Sequence, residues 1–261
     1  MKYHLPAAPV FRQERIGQNI YALTLGSREI AREAQPGQFV HLRCGKGADP
    51  LLRRPFSINA VQRETGAVTF WYQVVGKGTE LLSRVRAGEY LDVIGPLGRG
   101  FQTELSGKKV GLIGGGMGIA PLIFLGRELA GKNQVQAFWG GRSKELLPQF
   151  TPSTAFSAEL VTEDGSSGRQ GLVTELLAEW LPRESFDLLC ACGPRPMLAE
   201  VARLAREREI PLQVSLETVM ACGVGACLGC TCKGAGPAEG QQFKVCQDGP
   251  VFWAAEVDWD E

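Results

Sequence analysis

Histidine is nearly absent from this sequence: two of 261 residues, His4 and His41, both far along the chain from its cysteine-rich end. Chemistry that gathers several imidazoles, such as a zinc hydrolase or a Rieske centre, is therefore not expected. No charge surplus exists either, with 28 Lys and Arg against 28 Asp and Glu. The basic footprint of a nucleic-acid binder is missing. A membrane span needs ~20 mostly apolar residues. The longest uncharged stretch, Val110 to Gly126, has 17 residues, six of them glycine and one proline. The start, Met1 to Phe11, is broken by Pro6 and Pro9 and reads as no secretory signal. A cytoplasmic, reducing setting is expected, where clustered cysteine points to metal rather than disulfide.

What is present is a chain with a core. Hydrophobic residues make up 44% of it, which excludes an acidic disordered tail. The length allows two domains and a small third. Glycine is abundant, 33 residues, nearly twice the usual ~7% share. Five of the eight cysteines, Cys222, Cys227, Cys230, Cys232 and Cys246, fall in the last 40 residues.

Residues 1–98 read as β, with short alternating runs at 19–25, 38–43, 56–61, 68–75 and 89–94 separated by turn signals such as Pro36-Gly37 and Ala87-Gly88. That spacing suggests a small antiparallel barrel. One helix is expected at Thr79–Val85 with Thr79 as its N-cap. From 99 to 217 the rhythm is strand then helix. Strands are expected at 109–113, 134–139, 158–162, 186–190 and 211–216, the last closing the sheet, and helices at 120–129, 144–150, 172–180 and 196–209. Alternating units of this kind imply a parallel sheet with helices on both faces. Residues 218–261 form the third unit. Its Gly- and Cys-rich stretch, 220–246, lacks periodicity and cannot bury much core alone, so something else must organise it.

The cysteine spacing is Cys222-x4-Cys227-x2-Cys230, then 15 residues, then Cys246. This is the plant-type pattern for a 2Fe–2S cluster. Gly223, Gly225 and Gly229 permit the sharp turns and close N–H approaches that a cluster loop needs. A structural zinc site is the alternative, but it usually has two short Cys pairs, and only Cys227-x2-Cys230 fits. Cys232 is a neighbour outside the pattern.

Two further motifs have ligand-binding chemistry. Arg53-Arg54-Pro55-Phe56-Ser57 opens a strand, and Gly76-Lys77-Gly78-Thr79 leads into a helix. A guanidinium gives bidentate hydrogen bonds to a pyrophosphate, and a helix start with small residues offers N–H donors to phosphate oxygens. In the α/β block, Gly114-Gly115-Gly116-Met117-Gly118 follows a strand, and Cys192-Gly193-Pro194 ends a later one. Both lie at strand carboxyl ends, where open α/β sheets bind ligands. A tight turn alone would also explain the glycines. Cys190 is expected in the core on an opposite or neighbouring face from Cys192.

Together these elements resemble the ferredoxin-reductase-type flavoproteins, which have Arg-x-Tyr-Ser on a barrel strand, a Gly-rich turn before a helix and a Cys-Gly-Pro element beside the nicotinamide. The resemblance implies FAD held by Arg54, Pro55, Phe56, Ser57, Trp71, Tyr72, Gln73, Gly78 and Thr79. It implies NAD held by Gly114, Gly115, Gly116, Gly118, Cys192, Gly193 and Pro194, with Ser57 and Cys192 nearest the flavin and nicotinamide. Phe56 replaces the tyrosine, keeping a ring for the isoalloxazine and losing the phenol. NADP-specific members of that family tend to place Ser and Arg after the strand expected here at 158–162. Glu163-Asp164-Gly165 stands there instead and would repel a 2′-phosphate, so the resemblance implies NAD over NADP, with an ordinary Asp-Gly turn as the alternative.

The order of barrel, nicotinamide domain and C-terminal cysteines is similar to the electron-transfer subunits of bacterial NAD-dependent dihydroorotate dehydrogenases. The closest stretches are 220–227 and 244–252. That resemblance implies cluster ligands Cys222, Cys227, Cys230 and Cys246. It also implies an FMN-containing catalytic subunit as partner, in a heterotetramer with two of each, serving pyrimidine (UMP) biosynthesis. No dihydroorotate site of its own is evident, and neither nucleic acid nor membrane is an expected partner. The small subunit of a ferredoxin:NAD(P) transhydrogenase or sulfide dehydrogenase is the alternative within the wider family. Those relatives often carry aspartate at one cluster position, and here all four are cysteine. A redox sensor or zinc-stabilised binding module is the non-enzyme alternative.

Overall fold

Six strands with in–out alternation build the first block: β1 (Tyr3–Gly17), β2 (Ile20–Gly26), β3 (Phe39–Leu42), β4 (Arg54–Gln62), β5 (Ala67–Gln73) and β6 (Tyr90–Leu97). They close into an antiparallel barrel in the order β1-β2-β5-β4-β3-β6, as the spacing predicts. The structure, a computed structural model, describes residues 3–45, 47–148 and 155–260. Leu23, Leu42, Ile58 and Phe70 are fully buried in the barrel core. Sequence reading does not name β1. Its Pro6 lies inside the register shift between Leu5 and Ala8, where the ladder does not need the missing N–H. A six-residue helix, α1 (Arg28–Glu33), is also new; the Ser27 Oγ caps it, accepting from the Ile30 N–H at 3.1 Å.

The helix after β5 corrects an expectation. α2 spans Lys77–Ser83 and its N-cap is Gly76. Thr79 is the third helical residue, and its hydroxyl accepts from the Val75 and Gly76 N–H groups at 3.0 and 3.2 Å.

The second block is a seven-stranded sheet. Its elements are β7 (Lys109–Gly115), α3 (Ile119–Leu129), β8 (Gln134–Gly141), β9 (Ser157–Thr162), β10 (Arg169–Gln170), α4 (Val173–Trp180), β11 (Leu188–Cys192), α5 (Arg195–Glu207) and β12 (Leu212–Ser215). The last segment adds β13 (Thr231–Lys233), β14 (Gln242–Lys244) and β15 (Val251–Trp253). The sheet order is β10-β9-β8-β7-β11-β12-β15. All neighbours are parallel except β12 and β15. The sheet therefore does not close at β12, as expected, but continues into an antiparallel edge supplied by the C-terminal segment. α3 packs on one face and α4 and α5 on the other, forming two cores. The helix expected at 144–150 is a single 3-10 turn at Lys144–Leu146, and residues 149 and 150 lie outside the described residues. The strand expected at 186–190 is shifted by two residues, with Phe186 packed in the core just before β11.

Three parts meet at one junction. Phe39 and Leu97 leave the barrel core and join a cluster that holds Cys230, Cys246, Val245 and Phe252. Gly98, at φ +75°, lies against Gly249 and Pro250, where a methyl group would come within 2.6 Å of both. α3 ties the barrel to the sheet: its Phe124 enters the barrel core, and the Asn59 amide of β4 donates to the Ala120 carbonyl at 3.0 Å.

Candidate functional site

The cysteine loop begins with backbone donors aimed at sulfur. Gly223 and Gly225 adopt φ of +70° and +80°, which turns successive N–H groups inward. The N–H groups of Val224, Ala226 and Cys227 lie 3.5, 3.3 and 3.4 Å from the Cys222 Sγ. Gly225 donates to the Cys246 Sγ at 3.1 Å, and the Cys246 N–H to the Cys230 Sγ at 3.5 Å. The Cys227 side chain reaches the Cys222 sulfur and the Cys230 side chain the Cys246 sulfur, with Cys222 close enough to act on Cys246 as well. Among the described residues, no three His, Cys, Asp or Glu side chains converge as a ready single-ion site. Burial works against the Cys222 thiolate, but the Val224 and Cys227 N–H groups and the Cys227 side chain outweigh it and bring the pKa to about 6. Burial, then the bond to Cys230, pushes Cys246 up to about 12 despite the Gly225 N–H. Cysteine sulfurs ringed by N–H groups fit an iron–sulfur cluster, whose sulfurs take such hydrogen bonds. Cys227 is exposed, while Cys230 and Cys246 are buried. Cys232 is a core side chain on β13 opposite Phe243.

His41 completes this region, and spacing gave no sign of it. Strand β3 carries it fully buried to the loop, where its ring packs on Gly223. Neither ring nitrogen has a hydrogen-bond partner. Burial and the Arg53 charge lower its pKa to about 4, while the Cys222 backbone facing the ring works the other way.

On β4, Arg53 and Arg54 have different surroundings. Arg53 pairs with Asp92 of β6 at 2.7 Å. Arg54 folds over the first turn of α2, and a methyl on Gly78 would lie 3.3 Å from its Nε. Its Nη1 donates to the Leu52 carbonyl at 2.8 Å. Thr79 is buried and shapes this turn. Beside α2 opens a cavity of about 750 Å³ lined by Arg43, Cys44, Leu81, Arg84 and Tyr90. Phe56 is buried edge-on to Tyr72, which stacks on Tyr21. Tyr72 therefore faces the barrel core, whereas Trp71 packs against the α3-side core of the sheet. Pro55, Ser57 and Gln73 are half-buried.

The glycine turn and Cys192-Gly193-Pro194 meet at the carboxyl end of the sheet. Gly114 on β7 is in register with Cys192 on β11. A methyl on Gly118 would collide with the Cys192 carbonyl, and one on Gly115 would come within 2.5 Å of the Met197 sulfur. The Gly116–Gly118 turn also packs against β5, so the sheet motifs face the barrel strand that carries Trp71. Cys190 and Cys192 share one face and one core, a correction that strand periodicity explains. Burial, then the Glu217 charge, raises the Cys192 thiol, opposed by a hydrogen bond from Ser215. Glu217, beyond β12, is a second residue that spacing did not mark. Surrounding protein raises its carboxyl although the residue keeps contact with solvent. Asp164 accepts from the Ser166 N–H and hydroxyl at 2.9 and 2.6 Å and stays charged at the sheet's carboxyl edge. A larger groove of about 1160 Å³ between α5 and the C-terminal turn lies away from all of these motifs.

Known proteins resemble this chain in sequence and fold. Residues 217–258 match the family model described as the iron–sulfur cluster binding domain of dihydroorotate dehydrogenase B. The chain is 42% identical over 256 residues to a dihydroorotate dehydrogenase B (NAD(+)) electron transfer subunit of Desulforamulus reducens, covering 97% of this chain and 98% of that one. It is 35% identical to the protein of the same name from Clostridium acetobutylicum, covering 98% of each. Among solved structures, an NADH-dependent reduced ferredoxin-NADP oxidoreductase superposes with a TM-score of 0.87 at 31% identity, covering 98% of this chain and 91% of that one. The ferredoxin reductase of a carbazole 1,9a-dioxygenase shares the fold at a TM-score of 0.69 and 19% identity, covering 81% and 68%.

Proposed function

This chain belongs to the family of dihydroorotate dehydrogenase B (NAD(+)) electron transfer subunits, and on that premise we propose that it carries electrons from a catalytic partner subunit to NAD. The observation that carries the reading is the loop of four cysteines with inward N–H donors at the junction of barrel and sheet. Cys222, Cys227, Cys230 and Cys246 would hold the cluster. Arg54, with the Gly76–Thr79 turn, would hold the FAD pyrophosphate; Ser57, Trp71 and Gln73 would line its ring, with Phe56 and Tyr72 backing that wall from the barrel core. Gly114–Gly118 and Cys192-Gly193-Pro194 would hold the nicotinamide side of NAD. When bound, FAD exchanges single electrons with an iron–sulfur centre and an electron pair with a nicotinamide.

The chain's own part is placement. Close packing of Gly118 on Cys192 shapes one wall, while β4 and β5 supply the facing wall. Buried Cys192 keeps its proton and contributes a neutral surface. The acidic Glu163-Asp164 corner disfavours a 2′-phosphate, supporting NAD over NADP. The division 1–98, 99–217 and 218–261 follows these three roles. The partner is an FMN-containing, dihydroorotate-oxidising subunit, in a heterotetramer with two of each, in the cytoplasm and in pyrimidine biosynthesis. Among the described residues no helix is long and apolar enough to cross a membrane. The docking face is the cysteine loop, uncharged from Ala221 to Cys232 and carrying exposed Val224 and Leu228.

The likeness to the ferredoxin-NADP oxidoreductase favours a second reading, a transhydrogenase small subunit. The four-cysteine set and the higher identity to the dihydroorotate family weigh against it. Co-expression decides between them. Alone, the chain should oxidise NADH with an artificial acceptor and leave dihydroorotate untouched. With the FMN subunit it should support dihydroorotate-dependent reduction of NAD⁺. Coupling only to a ferredoxin- or sulfide-linked partner would overturn the assignment.

A further inference from the structure

We propose that His41 is a positioning residue that braces the cysteine loop against the flavin-side strand and sets the electronic balance between the two cofactor sites. This rests on the reading of the four cysteines as cluster ligands and of β4 as the flavin wall. Strand β3 makes the placement. Val40 and Leu42 enter the barrel core, whereas Phe39 turns the other way into the core shared with Cys230 and Cys246. His41 lies two residues after Phe39, on the same face of the strand, and its ring meets that of Phe39 edge-on at 6.3 Å. It is paired with Pro55 of β4, within the Arg54–Ser57 stretch. On its outer side a methyl on Gly223 would come within 2.5 Å of Nδ1 and 2.7 Å of Cε1. One side chain thus touches the residue following Cys222 while its backbone is laddered to the flavin motif.

An apolar residue would fill a fully buried slot at less cost. Histidine leaves two unpartnered polar atoms there, and such atoms in a folded protein call for an explanation. A neutral imidazole has one N–H and one lone pair. With Nδ1 packed over Gly223, a ring N–H on that side would brace the peptide that follows Cys222 once the loop holds its cluster. That peptide positions the sulfur on which the Val224, Ala226 and Cys227 N–H groups converge. An N–H dipole at the loop also favours the reduced cluster, which carries the extra negative charge.

The small histidine count makes a direct test possible. The native chain with its cofactors, labelled with heavy nitrogen in histidine alone, is examined by pulsed electron paramagnetic resonance with its cluster reduced. A His4→Gln chain removes the other histidine, which lies two strands away across Ile94. A weak nitrogen coupling should appear in both samples. A cluster signal without that coupling overturns this proposal alone; no cluster signal at all overturns the proposed function with it. In a second arm, His41→Phe keeps a planar ring and removes the N–H, while His41→Asn keeps an N–H near the Nδ1 position. His41→Phe should move the electron distribution about tenfold toward the flavin, ~59 mV for a one-electron couple. FAD content should be unchanged, any loss of iron should be confined to His41→Phe, and His41→Asn should restore the native distribution and iron content. A native potential and spectrum in His41→Phe overturns the proposal, as does equal loss of iron in both variants. Loss in His41→Phe that His41→Asn rescues supports it.

Discussion

The barrel and the 220–246 segment are both rich in turns, yet they reach order in opposite ways. The barrel closes its hydrogen-bond ladder on itself and draws its core from its own strands and helices, with Phe124 of α3 as the one visitor among the described residues. The cysteine segment has two strands of three residues, and its buried Met220, Cys230, Cys232, Val245 and Cys246 belong to a core shared with the sheet and with Phe39 and Leu97 of the barrel. One part folds on apolar burial; the other depends on neighbours and on what its sulfurs hold. Structure that depends on a bound group is lost with that group, so the two regions should respond differently to the same insult.

Removing one ligand gives the largest contrast. Cys230→Ser or Cys246→Ser should abolish iron binding, normally about two atoms per chain, and deprotect the β13–β14 amides to hydrogen exchange. Barrel amides should keep their protection; melting of both regions together would erase the distinction. Cys222→Ser and Cys227→Ser should also lose iron.

Arg54→Ala strikes the barrel side instead. Loss of a charge-assisted contact worth roughly 1.5–3 kcal/mol should weaken FAD binding by about tenfold to a hundredfold. The iron–sulfur spectrum should persist, read by absorbance after dialysis. Unchanged FAD retention would remove Arg54 from the site.

Leu228→Glu leaves both cofactors alone and charges the exposed loop, where Leu228 is 62% accessible. Coupled dihydroorotate-to-NAD⁺ activity should fall while NADH oxidation by the isolated chain is spared. Equal coupled activity would place the partner elsewhere. The smallest effect belongs to Cys232→Ser, which should retain iron; loss of the cluster there would overturn the ligand set.

Much of the candidate site was legible because its motifs are written in local spacing. The Cys222–Cys230 pattern, Arg54 to Ser57, and the Gly114–Gly118 turn each act within a few residues of chain. The barrel and the alternating α/β units were legible for the same reason, since alternation and turns are local. What escaped depends on partners distant in sequence. β15 is a three-residue apolar run that becomes a strand only beside β12. β1 contains two prolines that argue against a strand until the register shift is seen. His41 is more than 180 residues from Gly223 and reads as an ordinary position in a β run. Periodicity says that it faces away from Val40; it cannot say that a cysteine loop waits there.

The central claim is that one chain links NAD to its cysteine cluster through a flavin. Anaerobic addition of NADH to the isolated, cofactor-loaded chain, followed by electron paramagnetic resonance, tests it most directly. A reduced 2Fe–2S signal should grow with NADH and vanish when FAD is stripped from the Arg54→Ala chain. A cluster that dithionite reduces but NADH never does, with FAD in place, would contradict the account.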